Sequence, residues 1–118
     1  MIKYLLIFCF LFSIEINCEQ YWQREEKQIL IAAKLANRPV IAVFLRLQDC
    51  PWSQKLQEEV LNHPLFCERI GCDAILWQVD LTKESDGKAL REKYQVEISP
   101  LILLLDPRGK EFARLEYL

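Results

Sequence analysis

The residues best suited to chemistry lie in the stretch Asp49-Cys50-Pro51-Trp52-Ser53. Cys50 comes shortly after a continuous apolar run, and Pro51 is typical of the first turn of a helix. The N-terminus of a helix carries a partial positive charge and free N–H donors, and both stabilise a thiolate. We therefore expect the pKa of the Cys50 thiol to be lowered and its reactivity to be raised. The alternative is a buried, inert cysteine.

Neighbouring side chains act on this thiol in opposite directions. The Ser53 hydroxyl can donate a hydrogen bond to the Cys50 thiolate, which favours the charged form of the sulfur. Asp49 stands immediately before the cysteine, and its negative charge opposes thiolate formation. We expect Trp52 to shield the sulfur and to offer an apolar contact to a substrate.

The elements that position this stretch alternate between helices and buried strands. Continuous apolar runs with β-branched residues predict strands that are covered on both faces, and helical spacing of apolar residues predicts the helices. The predicted order is a helix over 20–37, a strand over 40–45, a helix from Pro51, a short helix over 65–70 that stops at Gly71, a strand over 74–81, a helix over 85–94, a strand over 101–105, a turn at 106–109 and a hairpin partner over 111–118. The first helix has Trp22, Ile29, Ala33 and Ala36 on one side. The helix from Pro51 buries Leu56, Val60 and Leu61, and the helix over 85–94 has Leu90 and Tyr94 inward. This order predicts an α/β fold whose sheet has a parallel core and an antiparallel edge.

The first residues have the layout of a secretory signal peptide. Lys3 supplies a positive charge, an apolar run of nine residues follows over 4–12, and polar residues come next. The run is too short to span a bilayer. We therefore predict a signal peptide over 1–18 and one domain over 19–118, with a periplasmic or secreted location and no other membrane attachment. The alternatives are a buried N-terminal strand or helix, and a lipoprotein anchored through Cys18.

Export implies an oxidising compartment, in which disulfides persist. Of the five cysteines, Cys9 and Cys18 belong to the predicted leader, which leaves the odd number of Cys50, Cys67 and Cys72. We do not expect either of the last two to reach Cys50, because the intervening helix of about eleven residues covers roughly 16 Å. Cys67 and Cys72 are interpreted as a local structural disulfide or as two half-buried thiols.

Composition argues against other classes of function. The net charge is −2, which gives no basis for proposing nucleic acid as a partner. The chain has one histidine, His63, and no pair of closely spaced Cys-x-x-Cys ligands, so we predict no metal site and no cofactor. His63 stands beside Asn62 and Pro64, and we interpret it as a helix-end or loop residue.

Several features together resemble the thioredoxin superfamily. A buried strand runs into a Cys-x-x-x motif that opens a helix, a second strand follows, and Ile98-Ser99-Pro100 directly precedes a strand and hairpin. The segment over 37–66 is especially similar to the secreted thioredoxin-like branch. The resemblance covers residues 20–118 and implies a thioredoxin-like fold with a central mixed sheet flanked by helices. It also implies that Pro100 is cis and faces the cysteine, and that substrates bind at Pro51, Trp52, Ser99 and Pro100.

The sequence departs from the family pattern at several positions. Ser53 stands where the two-cysteine motif has its resolving cysteine, and Phe44 stands where strong reductases carry a buried acid. Asp49 stands where the family frequently has a tryptophan. We also expect the final C-terminal helix of the family to be missing, since the sequence stops soon after the hairpin. A serine hydroxyl cannot attack a mixed disulfide, so these departures favour monothiol exchange over a fast dithiol reductase.

The leading hypothesis is therefore thiol–disulfide exchange through Cys50, of the monothiol reductase or isomerase type, on exported proteins that carry thiols or disulfides. A small thiol, a partner oxidoreductase or a second cysteine of the substrate would release the product. The first alternative is a non-catalytic peptide-binding module or chaperone that uses the groove beside Trp52 and Pro100. The second is a truncated, degenerate copy of a dithiol oxidoreductase.

Overall fold

The computed structural model describes residues 21–83 and 87–116 of the chain. The predicted leader, 1–18, lies outside the described residues, as do the start of the predicted helix over 85–94 and the last two residues of the predicted hairpin. Within the described residues, no helix is both long and apolar enough to cross a membrane. The elements, in chain order, are β1 (Trp22–Gln23), α1 (Glu26–Ala36), β2 (Val40–Leu45), α2 (Pro51–Leu56) continued by a π-helical turn (Gln57–Leu61), α3 (Pro64–Asp73), β3 (Ile75–Asp80), α4 (Gly87–Tyr94), β4 (Leu101–Leu105) and β5 (Glu111–Glu116).

The five strands form one mixed sheet in the order β1-β3-β2-β4-β5. Strands β1 and β2 run parallel to β3, whereas β4 runs antiparallel to both β2 and β5. This arrangement confirms the predicted α/β fold with a central mixed sheet flanked by helices. In the register of β2 and β3, Leu45 pairs with Asp80, so both strands end at the same edge of the sheet. The loop that carries Cys50 leaves from this edge.

Two apolar clusters cover the two faces of the sheet. On one face, alternate residues of β4 pack with residues of β2, β3, α1 and α4. On the other, Val43 and Leu45 of β2 pack with Leu61 and with Cys67 of α3. Strand β2 is thus buried on both faces, which explains its unbroken apolar sequence. Each fully buried leucine contributes about 1.5–3 kcal/mol relative to an exposed one.

The first element differs from the sequence prediction. Residues 22–23 form a strand rather than the start of a helix, and α1 begins only at Glu26. Trp22 pairs in register with Leu76 of β3, its indole Nε1–H donates to the Leu61 carbonyl at 3.1 Å, and its ring stacks on Phe66. These partners are distant in the chain, so local spacing did not reveal them. Of the residues predicted to be buried on α1, Ile29 and Ala33 are buried and Ala36 is exposed.

The predicted buried side of the helix from Pro51 is only partly correct. Leu61 is buried and Leu56 is half-buried, but Val60 is exposed. The helix widens into a π-helical turn at Gln57–Leu61, in which Asn62 N–H donates to the carbonyl five residues earlier at 2.9 Å. A π turn holds more residues than an α turn, so the residues after it face directions that a regular helical period does not predict.

The sequence predicts that a short helix stops at Gly71, but α3 continues through this residue to Asp73. A Cβ atom at this position would lie 2.5 Å from Cδ1 of the Tyr21 ring. Gly71 therefore allows the segment before β1 to pack closely against α3, and it does not act as a helix stop. In α4, Leu90 is buried and Tyr94 is half-buried, as predicted.

We expect Leu103→Ala to lower the free energy of unfolding by about 2–5 kcal/mol, because it leaves a cavity in the fully buried core. The matched control is Leu115→Ala on the adjacent strand β5, where the side chain is 59% exposed and the loss should be much smaller. Urea titration of both variants measures the difference. Equal losses would contradict the burial pattern of β4 and β5.

Candidate active site

Cys50 lies at the N-cap of α2, directly after the loop that leaves β2. Its backbone is extended, with φ −123° and ψ 109°, and Pro51 occupies the first turn of the helix as predicted. The Cys50 N–H donates to the Arg46 carbonyl at 2.9 Å, and the Cys50 carbonyl accepts from Gln54 N–H at 3.1 Å. The side chain is a free thiol that is neither fully buried nor fully exposed, so a reactant can reach the sulfur.

Ser53 is completely buried beneath this thiol. Its Oγ accepts a hydrogen bond from the Arg46 backbone N–H at 3.0 Å. Because the oxygen already accepts from this fixed donor, the hydroxyl proton is available to Cys50, to which the Ser53 side chain hydrogen-bonds. The residue that replaces a resolving cysteine therefore serves as a fixed hydrogen-bond donor to the sulfur.

Several effects compete over the pKa of Cys50. Partial burial raises this pKa. Hydrogen bonds from the Ser53 hydroxyl and from the backbone N–H groups of Ser53 and Trp52 lower it, and the charge of Asp49 raises it slightly. The hydrogen bonds prevail, and the pKa of Cys50 lies below its ordinary value. This agrees with the expectation drawn from the position of Cys50 at a helix start.

Asp49 is paired with Arg46, a contact that the sequence analysis missed. Arg46 Nε donates to Asp49 Oδ1 at 2.8 Å, and Arg46 Nη2 donates to Asp49 Oδ2 at 2.5 Å. These hydrogen bonds hold the pKa of Asp49 below its usual value. The guanidinium also places a positive charge close to Cys50, so it offsets the repulsion that Asp49 alone would exert on a thiolate. The signal for this ion pair in the sequence was the spacing of three residues between Arg46 and Asp49.

Asp80 is a second positioning residue that sequence reasoning did not identify. Its buried Oδ1 accepts from Leu47 N–H at 3.2 Å, and also from the N–H and the hydroxyl of Thr82. Gln54 Nε2 donates to the Leu47 carbonyl at 2.7 Å from the other side. The loop before Cys50 is thereby tied to the end of β3 and to α2. The signal for this role was a carboxylate at the end of a strand whose sequence is mostly apolar.

The peptide bond between Ser99 and Pro100 is cis, as the family resemblance implied. The bond lies directly before β4, and Pro100 is buried. The Cys50 thiol donates to the Ser99 carbonyl oxygen, and the two heavy atoms are 3.7 Å apart. The structure thus brings Cys50, Ser53, Ser99 and Pro100 together from two distant segments of the chain.

Apolar side chains lie open to solvent next to these residues. Trp52 is 56% exposed and Ile98 is 40% exposed, and they stand beside Cys50 and Ser99 in the sequence. Lys55 Nζ lies 5.8 Å from the centroid of the Trp52 ring. A small cavity of about 70 Å³ adjoins this edge and is lined in part by Arg46, Ile98 and Ser99. An extended apolar segment can therefore contact the protein close to the thiol.

Phe44 occupies the position where the resemblance implies a buried acid in strong reductases. Its ring packs against Trp77 and Tyr94, with centroid distances of 5.6 Å in both cases. The position is completely buried and apolar, so it cannot accept a proton from the site above it. Phe44 therefore supplies no titratable group beneath Cys50.

Of the two interpretations of Cys67 and Cys72, a local disulfide and two half-buried thiols, the local disulfide does not form. Cys72 is an exposed free thiol, whereas Cys67 is fully buried and is not free. Five residues along α3 correspond to an axial rise of about 7.5 Å. This exceeds the Cα separation of about 4.4–6.8 Å that a disulfide usually spans, and the two side chains leave the helix on different sides. Cys72 lies in the last turn of α3, directly before the start of β3, whereas the loop that carries Cys50 leaves from the edge at which β3 ends.

His63 caps α3, in agreement with its interpretation as a helix-end residue. Its Nδ1 accepts a hydrogen bond from Leu65 N–H at 3.2 Å, and Pro64 takes the first helical position. Within residues 21–83 and 87–116, no group of three or more His, Cys, Asp or Glu side chains is placed to hold a metal ion.

Replacing Ser53 with alanine should raise the pKa of Cys50, because the thiolate loses a hydrogen-bond donor. A net hydrogen bond contributes about 0.5–1.5 kcal/mol, so the thiolate fraction at neutral pH should fall by about two- to tenfold. The measurement is the pH dependence of alkylation, with Cys72→Ala as background so that Cys50 is the reactive thiol. The midpoint should move to higher pH in Ser53→Ala, and an unchanged midpoint would contradict the assigned role of Ser53.

The Arg46–Asp49 pair should control the same midpoint through its charges. We expect Arg46→Ala to raise the pKa of Cys50, because the Asp49 carboxylate is then unpaired, and Asp49→Asn to lower it. The double variant should lie between the two single variants. Salt should reduce the effect of Arg46→Ala, since both side chains are partly exposed. If neither substitution moves the midpoint, the charges of Arg46 and Asp49 do not affect the pKa of Cys50, and the backbone and Ser53 donors alone lower it.

Comparisons with known proteins agree with this geometry. Residues 26–116 match the family model of the thioredoxin-like domain. A structure of the DsbH oxidoreductase superposes with a TM-score of 0.71 at 23% identity, covering 82% of this chain and 74% of that one. A thioredoxin from Thermus thermophilus superposes with a TM-score of 0.65 at 24% identity, and the match covers 80% of this chain and 72% of that one. The germline-specific thioredoxin Deadhead from Drosophila melanogaster superposes with a TM-score of 0.61 at 17% identity, and the match covers 76% of each chain. No curated protein matches the chain. The family match and the shared fold together establish that this chain belongs to the thioredoxin-like domain family.

Proposed function

We propose that this protein is an exported thiol–disulfide exchange protein that attacks protein disulfides through Cys50 alone. The observation that carries the proposal is the placement of the Cys50 thiol between the Ser53 donor and the cis Ser99–Pro100 bond. The thioredoxin-like fold and the thioredoxin neighbours support thiol–disulfide redox chemistry in general. The single-thiol mode of action follows from the serine at position 53.

The first step is attack by the Cys50 thiolate on one sulfur of a substrate disulfide. A mixed disulfide forms between Cys50 and the substrate, while the other substrate sulfur leaves as a thiolate and takes up a proton. The hydrogen bonds that lower the pKa of Cys50 keep a larger fraction of the thiol in the attacking form near neutral pH. The Ser53 hydroxyl cannot carry out the second attack.

Release therefore needs a second thiol from outside the motif. When a different cysteine of the substrate attacks the substrate sulfur of the mixed disulfide, a new substrate disulfide forms, Cys50 leaves, and the substrate is isomerised with no net transfer of electrons. When a small thiol or a reduced partner oxidoreductase attacks the Cys50 sulfur instead, the substrate leaves as a thiol, and a second small thiol, or the second thiol of the partner, then displaces Cys50. The two attacking thiols end as one disulfide, and the substrate is reduced. In both cases Cys50 leaves as a thiolate and is ready for another cycle.

The surface beside Cys50 fits an extended segment of a protein substrate. The cis bond holds the Ser99 carbonyl next to the sulfur, and exposed backbone of this kind can pair with an extended peptide. Trp52 and Ile98 supply apolar contacts on the same edge. Exported proteins with exposed cysteines or non-native disulfides present such segments before they fold.

The proposed location follows from the sequence at the N-terminus. The charged start and the apolar run over 4–12 support export to the periplasm or to the exterior. Disulfide substrates occur mainly in such oxidising compartments. The proposed function and the proposed location therefore support one another.

A second candidate is a peptide-binding module that does not catalyse thiol–disulfide exchange. Two features favour it, namely the serine at position 53 and the exposed side chain of Trp52. Substitution at Cys50 separates the two functions, because a binding module should keep its affinity for unfolded proteins in Cys50→Ala. An exchange protein loses its covalent adduct in the same variant.

The test is to trap the mixed disulfide with a protein substrate that carries scrambled disulfides. With Cys72→Ala as background, an acid or alkylation quench should preserve an adduct that is visible on a non-reducing gel. The adduct should be absent in Cys50→Ala and should disappear when a small thiol is added. In Ser53→Cys a resolving thiol is restored, so the steady-state adduct should decrease while reduction of the substrate becomes faster.

Two results would overturn the proposal. One is the lack of any Cys50-dependent adduct with both reduced and oxidised unfolded substrates. The other is an adduct of equal abundance in the presence and absence of Cys50. Retention of unfolded-protein binding in Cys50→Ala, together with either result, would favour the binding module.

A further inference from the structure

A basic and apolar surface lies where α1 meets the turn between β4 and β5. A cavity of about 470 Å³ there is lined by Leu30, Ile31 and Lys34 of α1 and by Pro107 and Arg108 of the turn. A second cavity, of about 250 Å³, shares Lys34, Pro107 and Arg108 with the first. We propose that this surface docks the protein onto an anionic phospholipid bilayer. The proposal does not rest on the thiol–disulfide exchange proposed above.

Aliphatic side chains stand open to solvent on this surface. Ile31 is 53% exposed, and Leu35, one turn further along α1, is 84% exposed. Leu30 packs against the turn, since a Cβ atom at Gly109 would lie 3.0 Å from Leu30 Cδ2. This contact holds α1 and the turn side by side. Neighbouring aliphatic groups that are left in water, with polar side chains around them, are typical of a surface that contacts a membrane or a partner.

The charges around these aliphatic side chains are mainly positive. Lys34 and Arg108 line both cavities, and the exposed Arg38 and Lys110 follow them closely in the chain. Asp106 also lines the second cavity, but its Oδ1 accepts from the backbone N–H groups of Arg108 and Lys110, both at 2.9 Å. Within residues 21–83 and 87–116, no ion pair uses the side chain of Lys34 or Arg108. The whole chain has a net charge of −2, so this basic surface is a local feature.

This combination of groups fits an anionic bilayer better than an extended peptide. Aliphatic side chains enter the interfacial region of a bilayer, while long Lys and Arg side chains keep their charges among the headgroups. Anionic headgroups attract those charges. The backbone groups in the interior of α1 are hydrogen-bonded within the helix, so α1 offers no free edge with which an extended peptide could pair. A bilayer surface requires only apolar area and positive charge, and this surface supplies both.

Docking through this surface directs the candidate active site away from the bilayer. Leu105, at the end of β4, pairs with Val40, at the start of β2, so the turn after β4 lies at the edge where β2 begins. The loop that carries Cys50 leaves from the edge where β2 ends. The two edges are separated by the six residues of β2, or about 17 Å of extended chain. A protein substrate can therefore reach Cys50 while the protein is docked.

The sequence analysis predicts no membrane attachment beyond the leader, and the proposal differs from that prediction. The surface combines residues of α1 with residues of a turn that is distant in the sequence. Neither segment alone contains both the exposed aliphatic groups and the full set of cations. Their combination is therefore visible only in the folded chain.

The experiment is vesicle flotation of the full chain, expressed with its own N-terminus and recovered from the exported fraction. We expect stronger binding to vesicles of phosphatidylcholine and phosphatidylglycerol in equal parts than to phosphatidylcholine alone, and weaker binding as salt screens the charges. Lys34→Gln combined with Arg108→Gln should weaken binding to the anionic vesicles by about thirtyfold at low salt, at roughly fivefold per charge. The matched control, Arg69→Gln combined with Lys88→Gln, removes two exposed cations from other helices and should change binding much less.

The aliphatic side chains are tested separately from the charges. Ile31→Gln combined with Leu35→Gln should also weaken binding, and this loss should persist at high salt because apolar contacts are not screened. The control is Leu65→Gln on α3, where the side chain is similarly exposed. All these positions are exposed, so each variant should melt at the temperature of the unmodified protein.

Acetylation of lysine side chains locates the contact in the unmodified chain, whichever other segment also reaches the bilayer. On anionic vesicles, Lys34 and Lys110 should react more slowly than in their absence. Lys55 and Lys88 lie on α2 and α4 and should keep their rates. Mass spectrometry of the digested protein measures the four rates in one sample.

Three results would overturn the proposal. The first is protection of Lys34 and Lys110 no greater than that of Lys55 and Lys88. The second is equal binding of the Lys34→Gln, Arg108→Gln variant and its control. The third is displacement from vesicles by inorganic phosphate at an ionic strength at which chloride has no effect, which would show a site for a free anion only.

Discussion

The hydrogen bond from the Arg46 backbone N–H to the Ser53 hydroxyl oxygen is the interaction on which the site depends. It joins the end of β2 to the first turn of α2, and it determines which way the buried hydroxyl can donate. With that oxygen occupied, the proton of Ser53 is directed to Cys50. Ser53 cannot resolve a mixed disulfide, but its hydroxyl can still stabilise the thiolate form of Cys50.

The remaining contacts around Cys50 adjust charge and position. The Arg46 guanidinium pairs with Asp49, so the carboxylate beside the cysteine exerts less repulsion on the thiolate than its sequence position suggests. Asp80 and Gln54 hold the loop at Leu47 from two sides. The cis Ser99–Pro100 bond supplies the opposite wall. Each of these groups acts on the sulfur through geometry or charge, and the pKa of Cys50 lies below its ordinary value.

The departures from the predicted fold share a common origin. Trp22 lies in a strand because Leu76 and Leu61 offer backbone partners that are far away in the sequence. Val60 is exposed because a π turn changes the direction of the residues around it. Position 71 is a glycine because the Tyr21 ring leaves no room for a side chain there, and the helix continues through it. In all three cases a contact between distant segments or a local change of helical period outweighed the local pattern.

The sequence by itself determined the central strands, since residues buried on both faces must be apolar throughout, and it placed Cys50 at a helix start through Pro51. The family resemblance added the cis bond at Pro100. Only the tertiary structure decided that Asp49 is paired, that Asp80 supports the loop, and that Cys67 does not bond to Cys72. These outcomes depend on distances and directions between side chains. Such quantities exist only once the chain has folded, because one-dimensional spacing does not specify which groups of separate elements meet.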